Sequence, residues 1–171
     1  MKVPIVNEKD EVVRYADREE ASENGDGEIY RIVALWLTNS KGEILLSQRA
    51  LTKLHHPGIW SFAVTGRVEG EETYEDTILR EAQEELGLNN LQLRAGSKFL
   101  STAEDGFTSF CQYFFAAKDI ATKDLMLQKE EVAAVRWISS EMLLKEIETH
   151  PGFFIHSPEK WKKWLETQQP F

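Results

Sequence analysis

The chain has 171 residues, 42% hydrophobic and 29% charged, which is near the globular average and sufficient for one domain with a single core. Its net charge of −9, with lysines and arginines not clustered, argues against nucleic-acid polymers and anionic membranes as partners, since both require basic patches. It contains no signal-peptide core, no run of 18 apolar residues and one cysteine, so we expect a cytoplasmic protein without disulfides.

The N-terminal residues predict a hairpin. Residues 3–15, VPIVNEKDEVVRY, contain two apolar runs on either side of a polar turn at residues 7–10. Apolar runs separated by a short polar turn are typical of two antiparallel strands. We therefore expect residues 1–28 to form a hairpin and a polar extension within the single domain.

The next segments predict the centre of a sheet. Residues 29–49 contain two apolar runs around a turn at residues 39–42, and every residue from 32 to 37 is apolar. Such a run indicates a strand covered on both faces. A loop rich in proline, glycine and histidine follows at 51–60, and a short apolar run occupies residues 61–66.

A helix is predicted over residues 73–87, where the sequence contains signals for both helix ends. Thr73 is a suitable N-cap, and Asp76 three residues later completes a capping box. Gly87 stands where a left-handed residue ends many helices.

The predicted helix has an acidic stripe beside an apolar one. At about 100° per residue, Glu81, Glu84 and Glu85 fall within an arc of about 100°. The neighbouring apolar stripe consists of Leu79, Ala82 and Leu86. We expect the apolar stripe to enter the core and the acids to lie at the rim of the buried face.

Two interpretations of the acidic stripe are open. One is a solvated face rich in glutamate, and the other is a site for a hard divalent cation. Like charges at this spacing repel, no lysine or arginine in the following turn relieves them, and a helix C-terminus disfavours negative charge. Bound Mg²⁺ or Mn²⁺ would offset both penalties, because these cations prefer oxygen ligands.

Beyond the helix, the chain alternates short strands with two further helices. The strands are predicted at residues 91–94, 97–102, 109–117 and 132–138, and the helices at 140–148 and 158–166. No repeat or linker divides the chain. Strands and helices therefore interleave in one α/β (α+β) domain over residues 1–171.

Residues 66–88, GRVEGEETYEDTILREAQEELGL, resemble the Nudix box, G-x5-E-x7-R-E-U-x-E-E-x-G-U, where U is a bulky aliphatic residue. Every fixed position matches: Gly66, Glu72, Arg80, Glu81, Glu84, Glu85 and Gly87. Ala82 and Leu88 occupy the aliphatic positions, and Ala82 is smaller than usual. Seven fixed residues at fixed spacings make this resemblance highly specific.

The resemblance implies a fold, a metal site and a reaction. The fold is a mixed β-sheet sandwiched between helices, and the reaction is metal-dependent hydrolysis of a diphosphate linkage. Glu81, Glu84 and Glu85 match metal-binding glutamates, of which Glu81 is sometimes assigned a base role, and the carbonyl of Gly66 often joins the metal. Arg80 and Glu72 match a pair that holds the helix and orients its carboxylates.

A catalytic base outside the box is common in this family. Glu130 and Glu131, in the acidic loop before the strand at 132–138, stand where some members place such a carboxylate. The alternative is a solvated loop acid. Glu104 and Asp105 are a weaker candidate pair, in a segment more typical of a turn.

The segment QRALTKLHHPGIWSFAVTG also resembles isopentenyl diphosphate isomerase, an enzyme with the same fold. By this resemblance, Arg49 and Lys53 are candidates for contacting substrate phosphates, with ordinary surface charge as the alternative. The isomerase has a catalytic cysteine where this chain has Thr65, and its metal-binding histidines lie upstream, where this chain has none before His55. Both departures disfavour isomerase chemistry.

Three functions follow from these residues. The first is hydrolysis of a nucleoside diphosphate derivative or similar small molecule with Mg²⁺ or Mn²⁺. The second is isomerisation of isopentenyl diphosphate. The third is a non-catalytic nucleotide-binding module, which the complete set of box glutamates disfavours. The sequence leaves the oligomeric state open, with a homodimer as one alternative.

Overall fold

Nine strands and three α-helices form the part of the chain that this computed structural model describes, residues 1–18, 27–103 and 106–167. The strands are β1 (Lys2–Val6), β2 (Val12–Asp17), β3 (Ile29–Thr38), β4 (Ile44–Arg49), β5 (Trp60–Ser61), β6 (Val64–Arg67), β7 (Arg94–Thr102), β8 (Thr108–Ala117) and β9 (Val132–Ile138). The helices are α1 (Tyr74–Leu86), α2 (Ser140–Thr149) and α3 (Pro158–Thr167), with 3-10 helices at Thr122–Asp124 and Pro151–Phe153.

Strand β3 lies at the centre of a mixed sheet. It pairs in parallel with β8 along its whole length and antiparallel with β6. The N-terminal hairpin of β1 and β2 joins β3 through the pairing of Val6 with Ile29, and β4 pairs with both β5 and β9. The mixed sheet expected from the sequence is therefore present.

The sheet is covered on both faces, as the apolar run in β3 predicted. Val33, Leu35 and Leu37 pack with α1 in one core cluster, whereas Ala34 and Trp36 pack with α2 and α3 in another. Alternate residues of a strand point to opposite faces, so a strand buried on both sides must be apolar throughout.

Most predicted elements are confirmed, and one is wrong. The hairpin, the helix with the box acids and the two C-terminal helices lie within two residues of their predicted bounds. Residues 91–94 were predicted to form a strand, but only Arg94 belongs to one, as the first residue of β7. Leu91 and Leu93 instead pack against the α1 core cluster from a loop, which explains their alternation without strand pairing.

No helix in the described residues is long and apolar enough to cross a membrane.

Candidate active site

The ends of α1 are fixed by the local signals that the sequence predicted. The Thr73 hydroxyl accepts a hydrogen bond from the Asp76 amide at 3.1 Å, and the Asp76 carboxylate accepts from the Thr73 amide at 3.1 Å. Gly87 adopts the left-handed conformation with φ 68°, and its amide donates to Gln83 O at 2.9 Å. The acids of α1 therefore lie in its last two turns, close to a defined end.

The buried arc of α1 differs from the predicted one. Leu79 was expected in the core but is 37% exposed, whereas Ile78 is fully buried. Glu81 and Glu85 are buried, and Glu84 is exposed. Two of the three acids thus lie on the buried side of the helix. This buried side is rotated toward the acids and away from Leu79, compared with the predicted one.

Arg80 is the centre of an ion-pair network on this face. Its guanidinium contacts both carboxylate oxygens of Glu72, at 2.8 and 3.1 Å. The Nη1 atom also lies 3.1 Å from Glu81 and 3.0 Å from Glu84. No lysine or arginine in the following turn relieves the repulsion among the acids, but the structure shows that Arg80, in the preceding turn, does so.

Gly66 lies directly against Glu81. In β6, Gly66 pairs with Val33 and shares its α1-facing side of the sheet. A Cβ atom placed on Gly66 would lie 2.5 Å from Cδ and Oε1 of Glu81. Any larger residue at position 66 would force the Glu81 side chain to move, because these separations are far shorter than van der Waals contact.

Burial raises the pKa values of two site carboxyls. Desolvation raises the pKa of Glu81 to about 7, although the positive charge of Arg80 opposes the shift. Desolvation also raises the pKa of Glu85 well above its ordinary value, with the charges of Glu81 and Glu131 adding to it and those of Arg49 and Lys53 partly opposing it. Both carboxyls therefore need a further positive charge to ionise fully at neutral pH.

The donor set fits a hard divalent cation. Glu81 and Glu85 present desolvated carboxyl oxygens, and Glu84 presents an exposed one on the same face. Within the described ranges, no three histidine, cysteine or acidic side chains already converge as a ligand group. Glu81 and Glu84 each contact Arg80 through one carboxylate oxygen, Oε1 and Oε2 respectively, so the guanidinium can hold both side chains while the other oxygen of each binds a cation.

Two loops bring further charges to the end of α1. The amide of Gln128 donates to Glu85 O at 3.0 Å, which holds the loop before β9 against the helix. In that loop, the Glu131 carboxylate contacts Lys53 Nζ at 2.6 Å, and the Glu131 carbonyl accepts from the Ala50 amide at 2.8 Å. The structure therefore brings Lys53 and Glu131, 78 residues apart in the chain, close to Glu85.

The remaining candidates lie in different surroundings. Arg49 donates from Nε to the carbonyl of His55 at 2.7 Å, within the loop that carries Lys53. Glu130 is exposed, unlike its half-buried neighbour Glu131. Glu104 and Asp105 lie outside the residues that the structure describes.

The residues relevant to isomerase chemistry lie on the other face of the sheet. Thr65 pairs with Ala34 and is exposed on the side opposite α1. Cys111 packs in the core cluster on that same side, and burial raises the pKa of its thiol to about 12. The thiol therefore stays protonated and buried.

Glu69, a buried acid in the loop before α1, is not among the residues predicted from the sequence. Its carboxylate forms an ion pair with Arg18 and lies 3.9 Å from Arg80. Glu69 occupies a variable position of the box, so the motif does not mark it, and its partner Arg18 is 51 residues away. No local signal in the sequence could have identified this contact.

A family model, curated sequences and solved structures all relate this chain to Nudix proteins. The family model of the NUDIX domain matches residues 29–156. An uncharacterized Nudix hydrolase of Pseudomonas aeruginosa is 36% identical over 85% of this chain and 83% of its own length. An isopentenyl-diphosphate Delta-isomerase of Enterobacter sp. is 28% identical over 89% of this chain and 84% of its own. A crystal structure from Deinococcus radiodurans, 28% identical, superposes with a TM-score of 0.74 over 88% of this chain and 90% of that one.

Proposed function

Since this chain belongs to the NUDIX domain family and is a pyrophosphohydrolase, we propose that it hydrolyses the diphosphate linkage of a nucleoside diphosphate derivative or similar small molecule. The observation that carries the proposal is the pair of buried acids on α1, Glu81 and Glu85, whose pKa values are raised. Burying two carboxyls on one helix face is costly unless a cation compensates them. A diphosphate substrate, itself anionic, needs the same cation.

Glu81, Glu84 and Glu85, with the carbonyl of Gly66, are the proposed ligands for Mg²⁺ or Mn²⁺. When bound, such a cation screens phosphate charge and activates the attacking water. Arg80 and Glu72 hold the carboxylates in place, because the bidentate contact between them fixes the guanidinium that lies against Glu81 and Glu84.

We propose Glu131 as the general base, in preference to Glu130. Glu131 is half-buried, lies close to Glu85 and is held by Lys53, whereas Glu130 faces solvent. A base must accept a proton from a water placed beside the substrate, which requires a carboxylate with a defined position.

Arg49 and Lys53 are the proposed contacts for the substrate phosphates. Both are close enough to Glu85 for their positive charges to lower its pKa. In this proposal one phosphate of the substrate lies toward the acids and the other toward these cations. Arginine and lysine are the side chains most suited to phosphate oxygens.

Isomerisation of isopentenyl diphosphate is the second candidate, because relatives named for that activity are 27–28% identical to this chain. We disfavour it. Thr65 cannot take the place of a catalytic thiol, and the thiol of Cys111 is buried on the face opposite the acids. The complete box also disfavours a non-catalytic module.

The test is a substrate panel assayed with Mg²⁺ and with Mn²⁺, covering nucleoside diphosphate derivatives, dinucleoside polyphosphates and isopentenyl diphosphate. We expect metal-dependent conversion of a nucleoside diphosphate compound into a nucleoside monophosphate and the phosphate monoester of the other group, abolished by Glu84→Gln or Glu85→Gln and retained by the control Glu75→Gln. Glu75 lies exposed in the first turn of the same helix, away from the acidic face. No turnover of any compound by the wild type would refute hydrolysis, and proton exchange into isopentenyl diphosphate would favour the isomerase.

A further inference from the structure

The N-terminal hairpin, β1 and β2 with their turn, contacts the loop that leads into α1. At its open end, the carbonyl of Lys2 accepts from the Gly70 amide at 2.7 Å. Arg18, directly after β2, forms an ion pair with Glu69, the neighbouring residue of the same loop. A backbone contact and a side-chain contact thus fix the hairpin to two consecutive loop residues.

Glu69 extends this contact to the network of Arg80. Its side chain is 9% exposed, and its second carboxylate oxygen lies 3.9 Å from Arg80 Nη2. The negative charge of Glu69 also acts on the pKa of Glu81. Arg18, Glu69, Arg80 and Glu81 therefore form a continuous series of alternating charges from the hairpin to the acidic face.

The turn of the hairpin makes a second, separate contact with α1. The Asp10 carboxylate accepts from the hydroxyl of Tyr74, the first residue of α1, at 3.0 Å. It also accepts from Arg31 Nε at 2.6 Å and contacts Lys98. Burial alone would raise the pKa of Asp10, but its bonds with Lys98, Arg31 and Tyr74 hold the pKa below its ordinary value.

We infer that the N-terminal hairpin positions the acidic helix, with Arg18 and Asp10 as positioning residues that act through Glu69 and Tyr74. The hairpin precedes the region matched by the family model, which begins at residue 29. It nevertheless holds both the loop before α1 and the first residue of the helix. The effect on catalysis rests on the proposed function, whereas the effect on the helix does not.

Charge balance explains how Arg18 would act at a distance. With Arg18 present, Glu69 has a cation of its own, and Arg80 is shared among Glu72, Glu81 and Glu84. Removing Arg18 leaves a buried carboxylate that must compete for Arg80. The guanidinium would then move toward Glu69 and release the acids that it orients.

The experiment compares Arg18→Gln with Arg14→Gln. Both arginines belong to the same part of the chain and have similar side-chain exposure, 51% and 53%, but Arg14 pairs with Glu28 rather than with the loop. Amide hydrogen exchange of residues 74–86, Mn²⁺ binding by electron paramagnetic resonance, and kcat and KM are measured for each. For Arg18→Gln we expect exchange faster by about tenfold in α1 only, weaker Mn²⁺ binding and kcat lower by about tenfold at a KM within twofold.

A second pair of variants tests the contact at the turn. Asp10→Asn removes the charge that holds Tyr74, and Asp17→Asn, exposed on β2, is its control. We expect faster exchange in the first turn of α1 for Asp10→Asn and wild-type exchange for Asp17→Asn. If Arg18→Gln fails to fold, Arg18→Gln combined with Glu69→Gln should restore folding, because no buried charge is then left without a partner.

The possible results distinguish failure of the role proposed for the hairpin from failure of the proposed hydrolase function. Exchange in α1 equal to that of the controls for both Arg18→Gln and Asp10→Asn would overturn the inference. Faster exchange with unchanged Mn²⁺ affinity and kcat would also overturn it, since the hairpin would then stabilise α1 without positioning the acids. If the wild type neither binds Mn²⁺ nor hydrolyses any compound, the proposed function fails, and hydrogen exchange alone decides whether the hairpin holds the helix.

Discussion

Gly66 and Glu81 pack so closely that a Cβ on Gly66 would lie 2.5 Å from the Glu81 carboxyl carbon. The glycine comes from β6 and the glutamate from the middle of α1, so this contact sets the separation of strand and helix at the proposed metal site. The absence of one side chain on the strand is therefore what allows the buried carboxylate to lie there.

Gly66→Ala should displace Glu81 and abolish most activity. We expect kcat to fall by about 100-fold, because an error of about 1 Å in a catalytic group has an effect of that order. Thermal unfolding and kinetics of the purified variant check this. Gly152→Ala is the control, since a Cβ on Gly152 would meet no atom within 4 Å. Equal activity of the two variants would show that Glu81 needs no fixed position.

Without metal, the buried carboxyl of Glu81 should lower the stability of the protein as pH rises from about 4.5 to 7. The folded-state pKa of Glu81 is raised from 4.5 to about 7, so the folded state binds a proton more tightly than the unfolded state across this window. The contribution of Glu81 to the free energy of unfolding then falls with pH, by up to about 3 kcal/mol, whereas the buried His156, whose pKa is lowered from 6.5 to about 4, contributes a rise over nearly the same range. Urea denaturation with a chelator at pH 5 and 7.5 measures the difference.

The variant Glu81→Gln should lose most of that pH dependence, and Glu75→Gln should keep it. Glutamine does not titrate, whereas Glu75 is exposed in the first turn of the helix. The same pH dependence of the free energy of unfolding in the metal-free wild type and in Glu81→Gln would contradict the assignment of Glu81 as a buried carboxyl with a raised pKa, because the titration of His156 is common to both proteins.

Millimolar Mn²⁺ or Mg²⁺ should stabilise the wild type at pH 7.5. A cation that binds only the folded state adds about 2.7 kcal/mol when its concentration is 100 times its dissociation constant. Differential scanning calorimetry with and without metal gives the shift in Tm. The shift should be largely lost in Glu85→Gln and kept in Glu75→Gln, and an equal shift in all three proteins would place the metal elsewhere.

Glu131→Gln should lower kcat by about 100-fold, the usual contribution of a general base, and Glu130→Gln should leave it within twofold. The two residues are neighbours, but only Glu131 is held by Lys53. Steady-state kinetics over pH 6 to 9 distinguishes them. If Glu130→Gln were the impaired variant, the base would be Glu130, and the ion pair of Glu131 with Lys53 would have another role.

Local signals in the sequence were sufficient to predict the helix that carries the acids. Thr73, Asp76 and Gly87 act on backbone groups within about four residues, so they determine where α1 begins and ends wherever the helix packs. The continuous apolar run of β3 likewise indicated a strand covered on both faces. The spacing of the box residues is local in the same sense, and it identified the family.

Only the tertiary structure decided which acids are buried and which cations accompany them. The loop near Gln128 contacts the Glu85 backbone from 43 positions along the chain, and the pairs of Lys53 with Glu131 and Arg18 with Glu69 join residues 78 and 51 positions apart. The helical periodicity predicted that Leu79 lies in the core, and this was wrong, because periodicity describes one helix without its neighbours. The orientation of that helix on the sheet results from packing between distant segments, which no local pattern encodes.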